Sequence, residues 1–154
     1  MVKYKKEDID DDDSLFYRVH ISSVRNGKII PGAFRDRVDG MSCDWSKYSD
    51  ANISLSRSSS PDKNSIVEIY VEQARQLKDI EVEHDPLPKP GFDEDKRSHS
   101  LLVGIPKSDP DKTKRRVELR DMSILIIKAL TKPADSIDIA HELNEKLGNI
   151  FESN

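Results

Sequence analysis

The chain has 154 residues, 35% of them hydrophobic and 35% charged, so we expect a single domain with a lean core over residues 15–150. The net charge of -4 gives no overall attraction for nucleic acid, and a nucleic-acid site would need a local basic patch. No apolar run reaches the roughly 18 residues of a membrane span, and the charged N-terminus does not fit a signal peptide. The single cysteine, Cys43, cannot form an internal disulfide. We therefore expect a cytoplasmic protein that contacts no membrane and holds no metal or other cofactor.

Residues 1–14 carry a short basic cluster followed by a run of acidic residues. Only Ile9 offers an apolar side chain within the acidic part. Because charge repulsion and a lack of apolar surface oppose folding, the pattern predicts a disordered acidic tail.

Four segments rich in β-branched and aromatic residues predict strands: residues 15–21, 66–71, 80–83 and 98–105. In the first strand, alternation separates one apolar face from a mixed face that carries Phe16, Arg18 and His20. Residues 33–48 and the proline-rich residues 85–96 are predicted to be loops. A short helix is expected after a cap at Ser49 or Asp50 and should reach about Arg57, and a helical turn is expected over residues 72–77.

The C-terminal third has helical periodicity. Residues 111–130 predict one long helix, and a second is expected from Asp135 or Ser136 to about Leu147, with Gly148 as its stop. Strands first and helices last favour the α+β class, with two C-terminal helices packed on one face of a small, mainly antiparallel sheet.

Three histidines lie at or beside predicted strand ends, namely His20, His84 and His99. Histidine is the usual acid or base at neutral pH, so we predict His20 and His99 as a catalytic pair and His84 as a binding residue. The alternative is that each is an ordinary hydrogen-bonded histidine.

Three arginines, Arg18, Arg35 and Arg37, follow each other closely enough to bind one phosphate or carboxylate. They could equally be neutralised by neighbouring aspartates, Asp36, Asp39 and Asp44. A basic run at residues 112–116 opens the long predicted helix, and it fits either a polyanionic partner or a solvated helix end.

Two short motifs resemble parts of known enzyme families. Val19–Ser22 and Ser98–Leu101 resemble the repeated His motifs of two-histidine phosphoesterases, although Leu101 stands where that family has Ser or Thr. This resemblance implies His20 and His99 as the catalytic pair. Phe16–His20 with the later Gly40–Ser42 segment resembles the opening of ADP-ribosyltransferase folds, which implies a catalytic glutamate among Glu68, Glu72, Glu81 and Glu83.

Longer motifs are spread over residues 15–105, namely Arg18–His20, Gly27–Ile29, Pro31–Asp36, Gly40–Trp45, Glu83–Pro86 and Arg97–Ser100. Together they resemble a group of small bacterial proteins for which no activity is established. The resemblance implies a bacterial, cytoplasmic origin and carries no mechanism.

Two functions fit these observations. The first is a bacterial binding or accessory domain that recognises a protein or anionic partner, in a stress, toxin or defence system, or that forms a homo-oligomer. The apolar run Ile124–Ile127 favours it, because it exceeds what one helix stripe needs. The second is an enzyme acting on a phosphoester, nucleotide or RNA, with His20 and His99 as acid and base and Arg18 and Arg35 as phosphate holders.

Overall fold

The structure, a computed structural model, describes residues 3–37 and 39–129. The strands are β1 (Ser14–His20), β2 (Val24–Arg25), β3 (Lys28–Ile29), β4 (Met41–Trp45), β5 (Asn64–Tyr70), β6 (Glu81–His84), β7 (Leu87–Lys89), β8 (Phe92–Lys96), β9 (His99–Val103) and β10 (Ile124–Ile127). The helices are α1 (Ala51–Ser56), α2 (Val71–Arg75) and α3 (Asp111–Met122). The predicted cap of the first helix is confirmed, because an Asp50 carboxylate oxygen accepts from the Ile53 N–H at 2.8 Å.

Six strands form one antiparallel sheet in the order β10-β5-β1-β4-β9-β6. Two hairpins, β2–β3 and β7–β8, lie outside it. The α+β class and the antiparallel sheet are therefore confirmed. The second predicted helix, from Asp135 or Ser136 to about Leu147, lies outside the described residues, and of the two predicted C-terminal helices only α3 falls within them. No helix in the described part of the chain is long and apolar enough to cross a bilayer.

The main core lies on one face of this sheet. Leu15, Trp45 and Leu102 are fully buried there or nearly so, and Leu119 of α3 packs into the same cluster. The opposite face carries Phe16, Arg18 and His20, as the alternation of β1 predicts. Helix α1 covers part of this second face, which we call the α1 face. The polar side chains of β1 on this face, Arg18 and His20, therefore lie on the same side of the sheet as α1, and Arg18 contacts Ser54 of that helix.

Two predicted loops contain strands. The segment 33–48 includes β4, which pairs with both β1 and β9 in the middle of the sheet. The segment 85–96 includes the hairpin β7–β8. The predicted helix 111–130 is also too long, because α3 ends at Met122 and residues 124–127 form the edge strand β10 on β5. A run of β-branched isoleucines fits a strand better than a helix, and tertiary pairing with β5 decides the outcome.

The N-terminal segment lies against the fold where the sequence predicted a disordered tail. Ile9 is buried in the core cluster, and Asp13 accepts a hydrogen bond from the Trp45 indole at 2.9 Å. Glu7 receives bonds from Lys47 and Tyr48. Lys47 neutralises Glu7 and Arg75 pairs with Asp11, while Trp45 and Tyr48 supply neutral hydrogen-bond donors. These partners come from elsewhere in the fold, so the composition of the segment does not reveal them.

Candidate catalytic site

A serine, a histidine and an aspartate meet on the α1 face. The Nε2 atom of His99 lies 3.2 Å from the Ser42 hydroxyl, and its Nδ1 atom lies 2.8 Å from the backbone oxygen of Asp85. The Asp85 carboxylate is also 3.2 Å from Nδ1. Ser42 is exposed, whereas His99 and Asp85 are buried. The order of nucleophile, base and orienting group is that of a catalytic triad.

The Asp85 contact fixes which nitrogen of His99 carries the proton. A backbone oxygen can only accept, so Nδ1 must donate and the neutral ring keeps its lone pair on Nε2. Burial lowers the pKa of His99; Asp85 opposes this, and the charges of Lys96 and Lys89 add to the lowering. At neutral pH the imidazole is therefore uncharged and faces the Ser42 hydroxyl as a proton acceptor.

The sheet register brings the three residues together. Ser42 lies on β4 and His99 at the start of β9, and these strands pair with each other. Asp85 follows β6, and its N–H donates to the His99 carbonyl at 2.9 Å. Lys89 then binds the Asp85 carboxylate at 2.6 Å, so the orienting group is itself held in place.

A buried polar cluster adjoins the triad. Asp44 lies directly opposite His99 in the β4–β9 ladder, and its carboxylate binds the Lys96 ammonium at 3.2 Å and the Ser98 hydroxyl at 3.0 Å. Burial by itself would raise the pKa of Asp44, but Lys96, Ser54 and Ser98 together lower it. The Asp44 and Lys96 charges therefore neutralise each other next to His99 in the β4–β9 ladder.

The predicted pairing of His20 with His99 is not what the structure contains. His20 is exposed at the end of β1. His99 is aligned through Asp44 with Phe16, which lies four residues before His20, and β9 is two strands away from β1. Counting roughly 3.3 Å per residue and roughly 4.8 Å per strand, their backbones are about 16 Å apart. His20 instead binds the neighbouring Ser22 hydroxyl at 2.8 Å. Direct acid and base action by these two histidines on one atom is therefore excluded.

His84 is a structural residue rather than an open binding group. It is buried, its Nδ1 accepts from the Glu7 N–H at 3.0 Å, and its Nε2 donates to the Arg97 carbonyl at 2.7 Å. Trp45 packs edge-on against the ring. Both nitrogens are used: the Nδ1 bond fastens the N-terminal segment to β6, and the Nε2 bond ties β6 to the turn between β8 and β9.

The three predicted anion-binding arginines do not gather at one place. Arg18 lies on the α1 face and donates to the Ser54 carbonyl at 3.0 Å. Arg35 donates from its side chain to the Gly32 carbonyl at 3.2 Å, and Arg37 pairs through its backbone with Gly40 just before β4. The alternative, pairing with neighbouring aspartates, is not seen among the described ion pairs either: Asp36 binds Lys107, Asp44 binds Lys96, and none of these pairs joins Asp39 to an arginine.

Cys43 is buried in the core, and burial raises the pKa of its thiol, so it is no nucleophile at neutral pH. Among residues 3–37 and 39–129, no group of three or more His, Cys, Asp or Glu side chains is placed to hold a metal ion. Comparison of the sequence with protein families, with curated proteins and with solved structures finds no match.

The sequence pointed to His99 but missed both of its partners. Ser42 falls in the segment predicted to be a loop, yet the alternation of Met41, Cys43 and Trp45 with two polar residues is typical of a strand. That alternation would have turned Ser42 outward on the face opposite the core. Asp85 gave no comparable signal, because its proximity to His99 depends on the pairing of β6 with β9.

Proposed function

We propose that the protein is a serine-dependent hydrolase that cleaves carboxylic esters, with Ser42 as nucleophile and His99 as general base. Asp85 is the positioning residue for His99. The observation that carries the proposal is an exposed serine hydroxyl 3.2 Å from the acceptor nitrogen of a buried, oriented histidine. The proposal keeps His99, which the sequence predicted as catalytic, and replaces its predicted partner His20 with Ser42.

The reaction follows from this geometry in two halves. The Ser42 oxygen attacks the ester carbonyl carbon, its proton passes to His99 Nε2, and the carbonyl oxygen takes up the displaced electron pair. Collapse of this adduct breaks the bond to the alcohol, which leaves with the proton from His99. Water, deprotonated by His99, then attacks the acyl-serine, releases the acid and returns the proton to Ser42.

A second serine–histidine contact in the same chain shows what sets Ser42 apart. The Ser22 hydroxyl lies 2.8 Å from His20 Nδ1, which is closer than the contact at Ser42. That ring nitrogen also accepts from the Ser22 N–H at 3.1 Å, within a short turn on the surface. His20 is exposed, and the turn explains its contact as a local cap. The proposal therefore rests on orientation and burial of the base, and not on distance alone.

The experiment is labelling of the purified full chain with a fluorophosphonate, followed by peptide mass analysis, together with the release of p-nitrophenolate from p-nitrophenyl acetate. We expect one label per chain, on Ser42, and a burst of product close to one equivalent. The Ser42→Ala variant should lose both signals, and His99→Gln should slow labelling by about 100-fold or more.

The matched controls are Ser22→Ala and His20→Gln, which remove a serine–histidine contact of similar length. We expect both to label and react like the unmodified protein. Labelling that persists in Ser42→Ala, or that moves with the Ser22 variant, would overturn the proposal.

The binding or accessory role expected from the sequence stays a second proposal. The observation on its side is the edge strand β10, where Ile124 and Ile126 expose 45% and 44% of their surface. A bacterial, cytoplasmic setting likewise stays a proposal based on the sequence resemblance, and a protein or anionic partner stays one based on the apolar run Ile124–Ile127 and the charged segments.

A further inference from the structure

The sheet opens between β1 and β4 next to Ser42. The β1–β4 ladder ends at the Phe16–Asp44 pair, although β1 continues to His20 and β4 begins at Met41. On their outer sides both strands stay paired: β1 along its full length with β5, and β4 from Met41 to Asp44 with β9. Pairing is thus lost at one place in the middle of the sheet, between residues 17–20 of β1 and residues 41–43 of β4, and we call this place the gap.

The ladder pattern shows which groups line this gap. The Ser46 N–H donates to the backbone carbonyl of Ser14 in β1 at 2.9 Å. The Trp45 N–H points to the opposite side and donates to the backbone carbonyl of Ser98 at 2.8 Å. Because alternate residues of an antiparallel strand turn their N–H groups to the same neighbour, Asp44 and then Ser42 turn theirs toward β1. The Ser42 amide therefore points into the gap, beside its own side chain.

Arg18 faces this gap from the other strand. Continuing the register two residues beyond the Phe16–Asp44 pair would bring Arg18 opposite Ser42, on the same α1 face. One guanidinium nitrogen donates to the Ser54 carbonyl at 3.0 Å, which anchors the side chain.

We propose that the gap between β1 and β4 is the substrate cleft, and that Arg18 is a further catalytic residue that stabilises the oxyanion formed when Ser42 attacks. This inference rests on the proposed hydrolase function. The substrate carbonyl oxygen takes up the electron pair of the broken C=O π bond when the Ser42 oxygen adds to carbon. The Arg18 guanidinium and the Ser42 amide then donate to that oxygen, and they release it when the carbonyl reforms.

The test is steady-state hydrolysis of p-nitrophenyl acetate by the full chain and by Arg18→Met. Loss of an oxyanion donor lowers kcat, and we expect a fall of roughly 100- to 1000-fold with little change in KM. Arg57→Met is the matched control, because Arg57 is also an anchored arginine of the α1 face and its described bond goes to the Ser98 hydroxyl at 3.0 Å rather than to β1 or β4. We expect its kcat to equal that of the unmodified protein.

A second measurement separates chemistry from folding. Arg18→Ala should regain part of its rate when guanidinium ion is added at millimolar, non-denaturing concentration, and Arg57→Ala should show no such rescue. A kcat that survives in Arg18→Met would overturn the assignment of Arg18 while Ser42-dependent labelling leaves the hydrolase proposal intact. An effect on KM alone would overturn it too, since it would mark Arg18 as a ground-state binding group. Absence of Ser42-dependent turnover in the unmodified chain would overturn both proposals.

Discussion

Removing the Lys96 ammonium tests whether the buried pair with Asp44 holds the α1 face together. The two residues expose only 5% and 3% of their surface, and the charged atoms lie 3.2 Å apart. The Lys96→Met variant keeps the aliphatic stem and leaves Asp44 charged without its cation. Breaking a buried pair in this way costs about 3–5 kcal/mol. Against a total unfolding free energy of about 5–15 kcal/mol, the variant should fold but be much less stable.

Urea unfolding followed by Trp45 fluorescence measures this cost. With an m value of about 2 kcal/mol per molar, the midpoint of Lys96→Met should fall by roughly 2 M. The double variant Asp44→Asn/Lys96→Met should lose clearly less than the sum of its single variants, because neither charge is then left unpaired. Lys3→Met is the control: its partner Asp95 is exposed, and we expect no measurable shift in midpoint.

The pH dependence gives an independent check on Asp44. Its folded pKa is lowered, so the stability that it contributes is complete above the ordinary value of 3.8 and is lost as the pH falls through the folded value. The gap in stability between the unmodified protein and Asp44→Asn should therefore shrink in acid. A cost below about 1 kcal/mol for Lys96→Met, or strict additivity in the double variant, would refute the reasoning.

Four further outcomes follow. Fluorophosphonate labelling of Ser42 should fall as the pH drops through a midpoint below 6.5, because only neutral His99 accepts the proton and its pKa is lowered; a midpoint above 6.5 would contradict this. Asp85→Asn should slow labelling by only about tenfold, since the backbone oxygen still fixes the imidazole proton, and a far larger loss would assign that role to the carboxylate. Ile9→Ala should cost about 2 kcal/mol or more in urea unfolding, whereas a disordered tail would cost nothing. Gly104→Ala should be at least as costly by the same assay, because its φ is +100° and a Cβ would lie 1.7 Å from a backbone oxygen, and a neutral effect would contradict that geometry.

Much of the secondary structure follows from local pattern. The alternation in β1 determines its two faces, and Asp50 determines where α1 begins. These features depend on neighbouring residues only, through side-chain period and capping, so the sequence suffices to predict them.

The tertiary structure alone decided the candidate site. His99 meets Ser42 and Asp85 because β9 lies between β4 and β6, and no spacing along the chain encodes that strand order. The same order separates His20 from His99, although similar motifs surround them. Residues 124–127, predicted as helix, form an edge strand because β5 supplies partners for their backbone groups. Pairing partners are chosen by the burial of a whole sheet face, a property of the complete fold rather than of any single segment.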